Sequence, residues 1–225
     1  MKNILFIAPH ADDEVLGCGA TMAKFAAQGC ICNVLIMTNA HIGLPEVFSE
    51  ETINTVRGEA KRAHKMLGIQ NTLFLEFPAP VLDQYPVFKM AGKINEVIRD
   101  LDIDTVFLPH RGDIHKDHKM VFDAGVVACR PTGGCPVKNV FCYETLSETE
   151  WGTPTAQDAF MPNTYVGFDK VDFQKKLDAF SCFVSQKRPF PESRSNETIE
   201  ALAMYRGATI TAERAEAFVC IRQIF

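Results

Sequence analysis

The chain opens on a short apolar run, Ile4 to Ala8, whose length and composition predict a buried central strand. From Val15 to Gln28 the residues become those of a helix, with Gly29 as its stop, and Ile31 to Thr38 returns to β-type residues. Strand, helix, strand predicts a right-handed parallel unit. Ser49 to Leu67 carries Ile53, Val56, Ala60, Ala63, Met66 and Leu67 at roughly helical spacing, and Gly68 closes it. Asn71 to Phe77 is a third strand candidate, ended by Pro78 and Pro80.

The alternation continues. Phe88 to Arg99 predicts a helix, Thr105 to Leu108 a fourth strand, and His115 to Ala128 the helix after it. Pro131, Gly133, Gly134 and Pro136 mark a loop before a fifth strand at Val140 to Tyr143. Glu144 to Asn163 is polar and holds Trp151, Gly152, Pro154 and Pro162, which predicts a long loop suited to a rim or lid. Asp169 to Phe183 and Glu192 to Tyr205 have helical patterns, and Ala217 to Ile224 predicts a late strand. With no repeat or linker, residues 1–225 read as one α/β domain: a Rossmann-like, mostly parallel sheet with helices on both faces.

Composition narrows the partners. At 225 residues, with 47% hydrophobic and 23% charged residues, the chain has material for a substantial core and the balance of an ordinary globule. A net charge of −5 offers no basic surface for a phosphate backbone, so nucleic acid is not an expected partner. No stretch approaches the roughly 20 apolar residues of a membrane span, and the first apolar run is too short for a signal peptide. The expected location is cytoplasmic, away from membranes. The eight cysteines are scattered without a CxxC pair and read as reduced, partly buried thiols, outside any disulfide or zinc cluster.

Two clusters carry the chemistry. His10, Asp12, Asp13 and Glu14 follow the first strand; Asp113, His115, Asp117 and His118 follow the fourth. Both fall where an α/β sheet places its ligands, at the carboxyl ends of strands. His10 and Asp13 are three apart and share a direction, while Asp12 faces elsewhere, so one acid can bind metal and its neighbour can take a proton. His115 and His118 are likewise three apart. Imidazole nitrogens with carboxylate oxygens suit zinc, and iron or manganese accept the same set. Acids in a first helical turn also interact well with the helix dipole, but that accounts for neither His10 nor the second cluster. Gly17 and Gly19 allow a tight helix entry and close approach by a ligand; a dinucleotide fingerprint fails at Met22.

The runs His10-Ala11-Asp12-Asp13-Glu14 and His115-Lys116-Asp117-His118, in this order, resemble the paired motifs of the N-acetylglucosaminyl deacetylase family, the PIG-L or LmbE-like deacetylases. The resemblance extends to Ser185-Gln186, Arg206-Gly207 and Ala215-Glu216-Ala217-Phe218. It implies His10, Asp13 and His118 as metal ligands and Asp12 as general base. It implies that His115, protonated, assists the tetrahedral intermediate or the leaving amine, with Asp117 orienting its ring. Arg57, in VRGEA, matches an arginine near the family's substrate pocket; an ion pair on the helix is the plain alternative.

The implied activity is zinc-dependent hydrolysis of an acetamide on a small N-acetylated sugar or sugar conjugate. Two departures stand out: Ala11 replaces the usual proline, and Phe183 stands where many members carry a histidine before Ser-Gln. Trp151 and Tyr143 are candidates to stack on a sugar ring, and Cys18 reads as a small buried hydrophobe. Three rival readings are a phosphoesterase with a second ion on Asp113 and Asp117, a glycoside hydrolase using the paired acids, and a sugar-binding protein with a vestigial metal site. A homo-oligomer is compatible with the sequence.

Overall fold

Along β1 (Asn3–Ala8) successive side chains enter two different cores, Ile4, Phe6 and Ala8 on one side and Leu5 and Ile7 on the other. A strand apolar on both faces has to be covered on both, which is the condition of a parallel sheet packed between helices. The computed structural model describes residues 1–225. The further strands are β2 (Ile31–Asn39), β3 (Asn71–Pro78), β4 (Thr105–Pro109), β5 (Asn139–Tyr143), β6 (Thr164–Phe168) and β7 (Arg214–Gln223). They form one sheet in the order β3-β2-β1-β4-β5-β7-β6, in which β7 alone runs against the others.

The first core is covered by α1 (Asp13–Ala27), α3 (Glu50–Leu67), α6 (Lys170–Phe180) and α7 (Asn196–Ala208). The second lies under α4 (Val87–Asp100) and α5 (Lys116–Ala128). A single helical turn, α2 (Ala40–Gly43), follows β2. The architecture is thus the mostly parallel α/β sheet with helices on both faces that the sequence predicts.

The chain winds outward from β1 in both directions, to β2 on one side and β4 on the other. This reversal opens a crevice beyond the carboxyl ends of β1 and β4. Ile4 pairs with Thr105 and Phe6 with Phe107, so the turns after Ala8 and after Pro109 emerge side by side.

Several boundaries differ from the sequence pattern for local reasons. α7 begins at Asn196 because the Ser195 hydroxyl accepts the Thr198 N–H as an N-cap; the predicted start at Glu192 lies in the loop before it. α6 stops at Phe180, and Phe183 beyond it is fully buried in the first core beside Phe180. β6 carries no clear signal in TYVGF, being a short edge strand that pairs only with β7. Gly17 and Gly19 serve packing, since a Cβ at Gly17 would strike the Tyr143 ring and one at Gly19 the Lys176 side chain. No helix is long and apolar enough to cross a membrane.

Candidate metal centre

The loop from β1 into α1 and the loop from β4 into α5 meet at one carboxylate oxygen. Asp13 Oδ2 lies 3.3 Å from His10 Nδ1 and 3.2 Å from His118 Nε2. The two rings are 5.6 Å apart between centroids. Each imidazole turns its other nitrogen to a second acid: His10 Nε2 is 3.1 Å from Asp117 Oδ2, and His118 Nδ1 is 2.8 Å from Asp113 Oδ2. These outer acids are themselves held, Asp113 by the Thr149 hydroxyl (2.6 Å) and Asp117 by the Leu82 N–H (3.1 Å). A carboxylate behind each ring fixes its orientation and makes the facing nitrogen a better donor.

His118 Nε2 is buried and, although 3.2 Å from Asp13, is not aligned for a hydrogen bond and has no hydrogen-bond partner. A buried polar atom left so costs about 1–3 kcal/mol. The donor atoms of His10, Asp13 and His118 all lie within 4.8 Å of one another, so one cation among them would satisfy that nitrogen. The donor set therefore fits a divalent metal. His10, His115 and Asp117 form a second group by the same spacing, but it shares His10, and Asp117 already accepts from Leu82 and faces the His10 ring.

The electrostatics favour cations here. Burial opposes the charged form of Asp13, but the His118 charge and the contacts to both rings outweigh it and hold this carboxyl well below the usual range. Burial likewise works against His10, and its bonds to Asp117 and Asp13 override that and raise it to about 9. His118 is pushed well above its usual value against burial, by Asp13 and Asp113.

Asp12 faces elsewhere, and its backbone shows how. Its φ of 129° lies outside the ordinary regions for an L-residue, a conformation that costs about 1–3 kcal/mol and persists only where surroundings enforce it. Its N–H donates to Glu14 Oε2 (3.2 Å), Glu14 Oε1 is 2.8 Å from His64 Nε2, and His64 Nδ1 is 2.9 Å from the Thr72 hydroxyl. The Asp12 carboxylate accepts from Arg194 Nη1 at 2.9 Å. Burial, with Asp13 and Glu14 nearby, pushes Asp12 up to about 8 against the pull of Arg194.

His115 is the N-cap of α5, its Nδ1 accepting the Asp117 N–H at 3.2 Å, with its ring 4.6 Å from that of His10. Two sequence-based roles change here. The Asp117 carboxylate faces His10, while only its backbone N–H meets the His115 ring two residues before it. Burial and the neighbouring His10 push His115 down to about 4, opposite to the charged imidazole expected from sequence.

Arg57 lies outside the cluster. It pairs with Glu76 at 2.7 Å, donates to the Leu75 carbonyl and covers the Phe74 ring. The arginine that does reach the site, Arg194, sits in a proline-broken loop without periodicity. It joins Asp12 across 182 residues, and also donates to Gln186 Oε1 (2.5 Å) and to the Ser147 hydroxyl (2.7 Å). Only the likeness at Ser185-Gln186 signalled that this stretch approaches the site.

Residues 5–129 match the family described as "PIG-L: GlcNAc-PI de-N-acetylase". YaiS of Escherichia coli K12, described as an uncharacterized deacetylase, is 30% identical over 183 residues, covering 79% of this chain and 88% of YaiS. Among solved structures, the conserved protein TT1542 of Thermus thermophilus superposes with a TM-score of 0.78 at 26% identity, over 100% of this chain and 97% of that one. The N,N′-diacetylchitobiose deacetylase of Pyrococcus horikoshii gives 0.76 at 21% identity, over 98% and 84%, a likeness of fold. With residues 5–129 matched to the family profile and its paired His/Asp turns meeting in one crevice, this chain belongs to the PIG-L family of de-N-acetylases.

Proposed function

We propose that this protein removes the acetyl group from an N-acetylated sugar or sugar conjugate by hydrolysis at a divalent cation, zinc first, with iron(II) or manganese(II) compatible with the same donors. The observation that carries the reading is the buried, unpartnered His118 Nε2 facing the Asp13 oxygen that also faces His10. His10, Asp13 and His118 would hold the ion. When bound, such an ion supplies Lewis acidity and lowers the pKa of water. Family membership and the likeness to an enzyme of N,N′-diacetylchitobiose support the acetamide substrate.

The chain's own groups divide the remaining work. Asp12, turned away from the ligand set and held by Arg194, accepts the proton of the attacking water and passes it to the departing nitrogen, leaving acetate and a free amine. His115 has Nδ1 engaged by the Asp117 N–H, so Nε2 carries the hydrogen and donates to the oxyanion that develops on the carbonyl. Asp113 and Asp117 position the two metal-binding rings. The two-metal phosphoesterase finds less support, because both of its extra acids are committed to histidines.

The test pairs metal analysis with amine release from a panel of N-acetylated sugars. Asp12→Asn should retain about one ion per chain while turnover falls at least about 100-fold. Equal metal loss in Asp12→Asn and His118→Ala would overturn the division of roles. Reducing sugar released without amine would point to glycoside hydrolysis, and metal binding with no product across the panel to a binding protein.

A further inference from the structure

Arg194, which donates to the Asp12 carboxylate, also lines a surface cleft of about 440 Å³ together with Ser147, Trp151, Gln186, Arg188 and Glu192. That volume is within the roughly 300–1,000 Å³ range of small-molecule sites. Trp151 is a large apolar side chain left 58% exposed. Its position is fixed by the second metal-binding turn: Thr149 donates to Asp113, Ile114 N–H donates to the Glu148 carbonyl, and the Gly152 backbone packs so closely on the Gly112 carbonyl that a Cβ would collide. The platform is therefore tied to the loop that carries His115 and His118.

We propose that this cleft is a second saccharide subsite, which binds the uncharged ring next to the N-acetylated ring being hydrolysed. The inference rests on the deacetylase reading for the identity of the first ring. An indole beside hydroxyl, amide, carboxylate and guanidinium groups matches a sugar ring, which presents a C–H face to the aromatic and hydroxyls to the polar rim. The positive charge is already matched: Arg194 pairs with Asp12, and Arg188 lies 3.8 Å from Glu192. That balance favours a neutral polyhydroxyl ring over a phosphate or carboxylate. Arg194 joins the subsite to Asp12, so one guanidinium separates a ring seated here from the group that moves the proton.

Trp151 is the sole tryptophan of the chain, so intrinsic fluorescence reports on this cleft directly. Metal-loaded protein is titrated with N-acetylglucosamine, N,N′-diacetylchitobiose and inorganic phosphate. The two-ring sugar should give a saturable change at a concentration at least about tenfold below that needed for the single ring, with no response to phosphate. Arg188→Ala should weaken the two-ring sugar at least about threefold. In amine release, Trp151→Ala should lower kcat/KM about tenfold for the two-ring substrate and leave the single ring within about twofold, with Trp151→Phe restoring most of the loss. Equal half-saturation by one and two rings, no saturable signal, or saturation by phosphate would overturn the subsite. If neither sugar releases amine while the two-ring sugar still saturates the fluorescence, the deacetylase reading falls and the subsite stands.

Discussion

The turn after β1 and the turn after β4 deliver histidines and acids to the same crevice along different backbone paths. The first leaves the ordinary regions at Asp12, with φ at 129°, whereas the second enters α5 through an extended His115 at φ −75° and ψ 124°. The cause is spacing. Asp12 and Asp13 are neighbours that must face different ways, one toward Arg194 and one toward two imidazoles, and an ordinary helix entry does not separate adjacent carboxylates so far. His115 and His118 are three apart, and the first turn of a regular helix already gathers them. The irregular turn is accordingly propped by residues remote in sequence, His64, Thr72 and Arg194. The regular turn is held by the Thr149 hydroxyl, the Leu82 N–H and the Glu148 carbonyl, none of which distorts its backbone.

The comparison breaks most completely at the oxygen both turns share. His118→Ala removes the ring that stands 3.2 Å from Asp13 and 2.8 Å from Asp113, and with it one proposed ligand. Bound metal measured by elemental analysis should fall well below one per chain, and amine release should drop by about 1,000-fold or more. The outer acids come next. Asp113→Asn or Asp117→Asn keeps every ligand but loosens one ring, so metal affinity from chelator competition should fall about 10–100-fold in each. Unchanged affinity in both would show that the rings are oriented by packing alone.

These differences also explain what could be read from the chain. The apolar runs at Ile4–Ala8 and Thr105–Leu108 are buried on both faces, so composition alone marked them as central strands and located the crevice. His115 and His118, three residues apart, were legible because helical geometry converts spacing into direction, whereas His10 and Asp13 meet through an irregular turn. Three things were not legible. The φ of Asp12 is imposed by partners far along the chain; Asp117 supports a ring 107 residues away in preference to its neighbour; and Arg194 lies in a loop with no period. Arg57 has a partner of the same hidden kind, since its ion pair with Glu76 on β3 cannot be read from its local motif. Long-range polar pairing leaves no periodic trace in sequence.

The mildest change sharpens the comparison, because it touches only the prop of the irregular turn. Glu14 bridges the Asp12 N–H and the buried His64 ring, and His64 is fixed in turn by Thr72. None of these groups belongs to the proposed ligand set, so His64→Gln, which can still donate to Glu14, should behave nearly as the parent. His64→Phe fills the space without a donor and frees Glu14 to turn from the Asp12 N–H. Metal content and KM should then hold while kcat falls about tenfold, roughly one misplaced catalytic contact. A buried carboxylate without its partner also destabilises, so thermal unfolding should move down in proportion to a loss of about 1–3 kcal/mol. The decisive reading is the pairing of the two variants. If both lose stability alike and kcat stays level in both, His64 supports only the core, and the strained turn stands on Arg194 and the Val15 and Leu16 amides that donate to the Asp12 carbonyl.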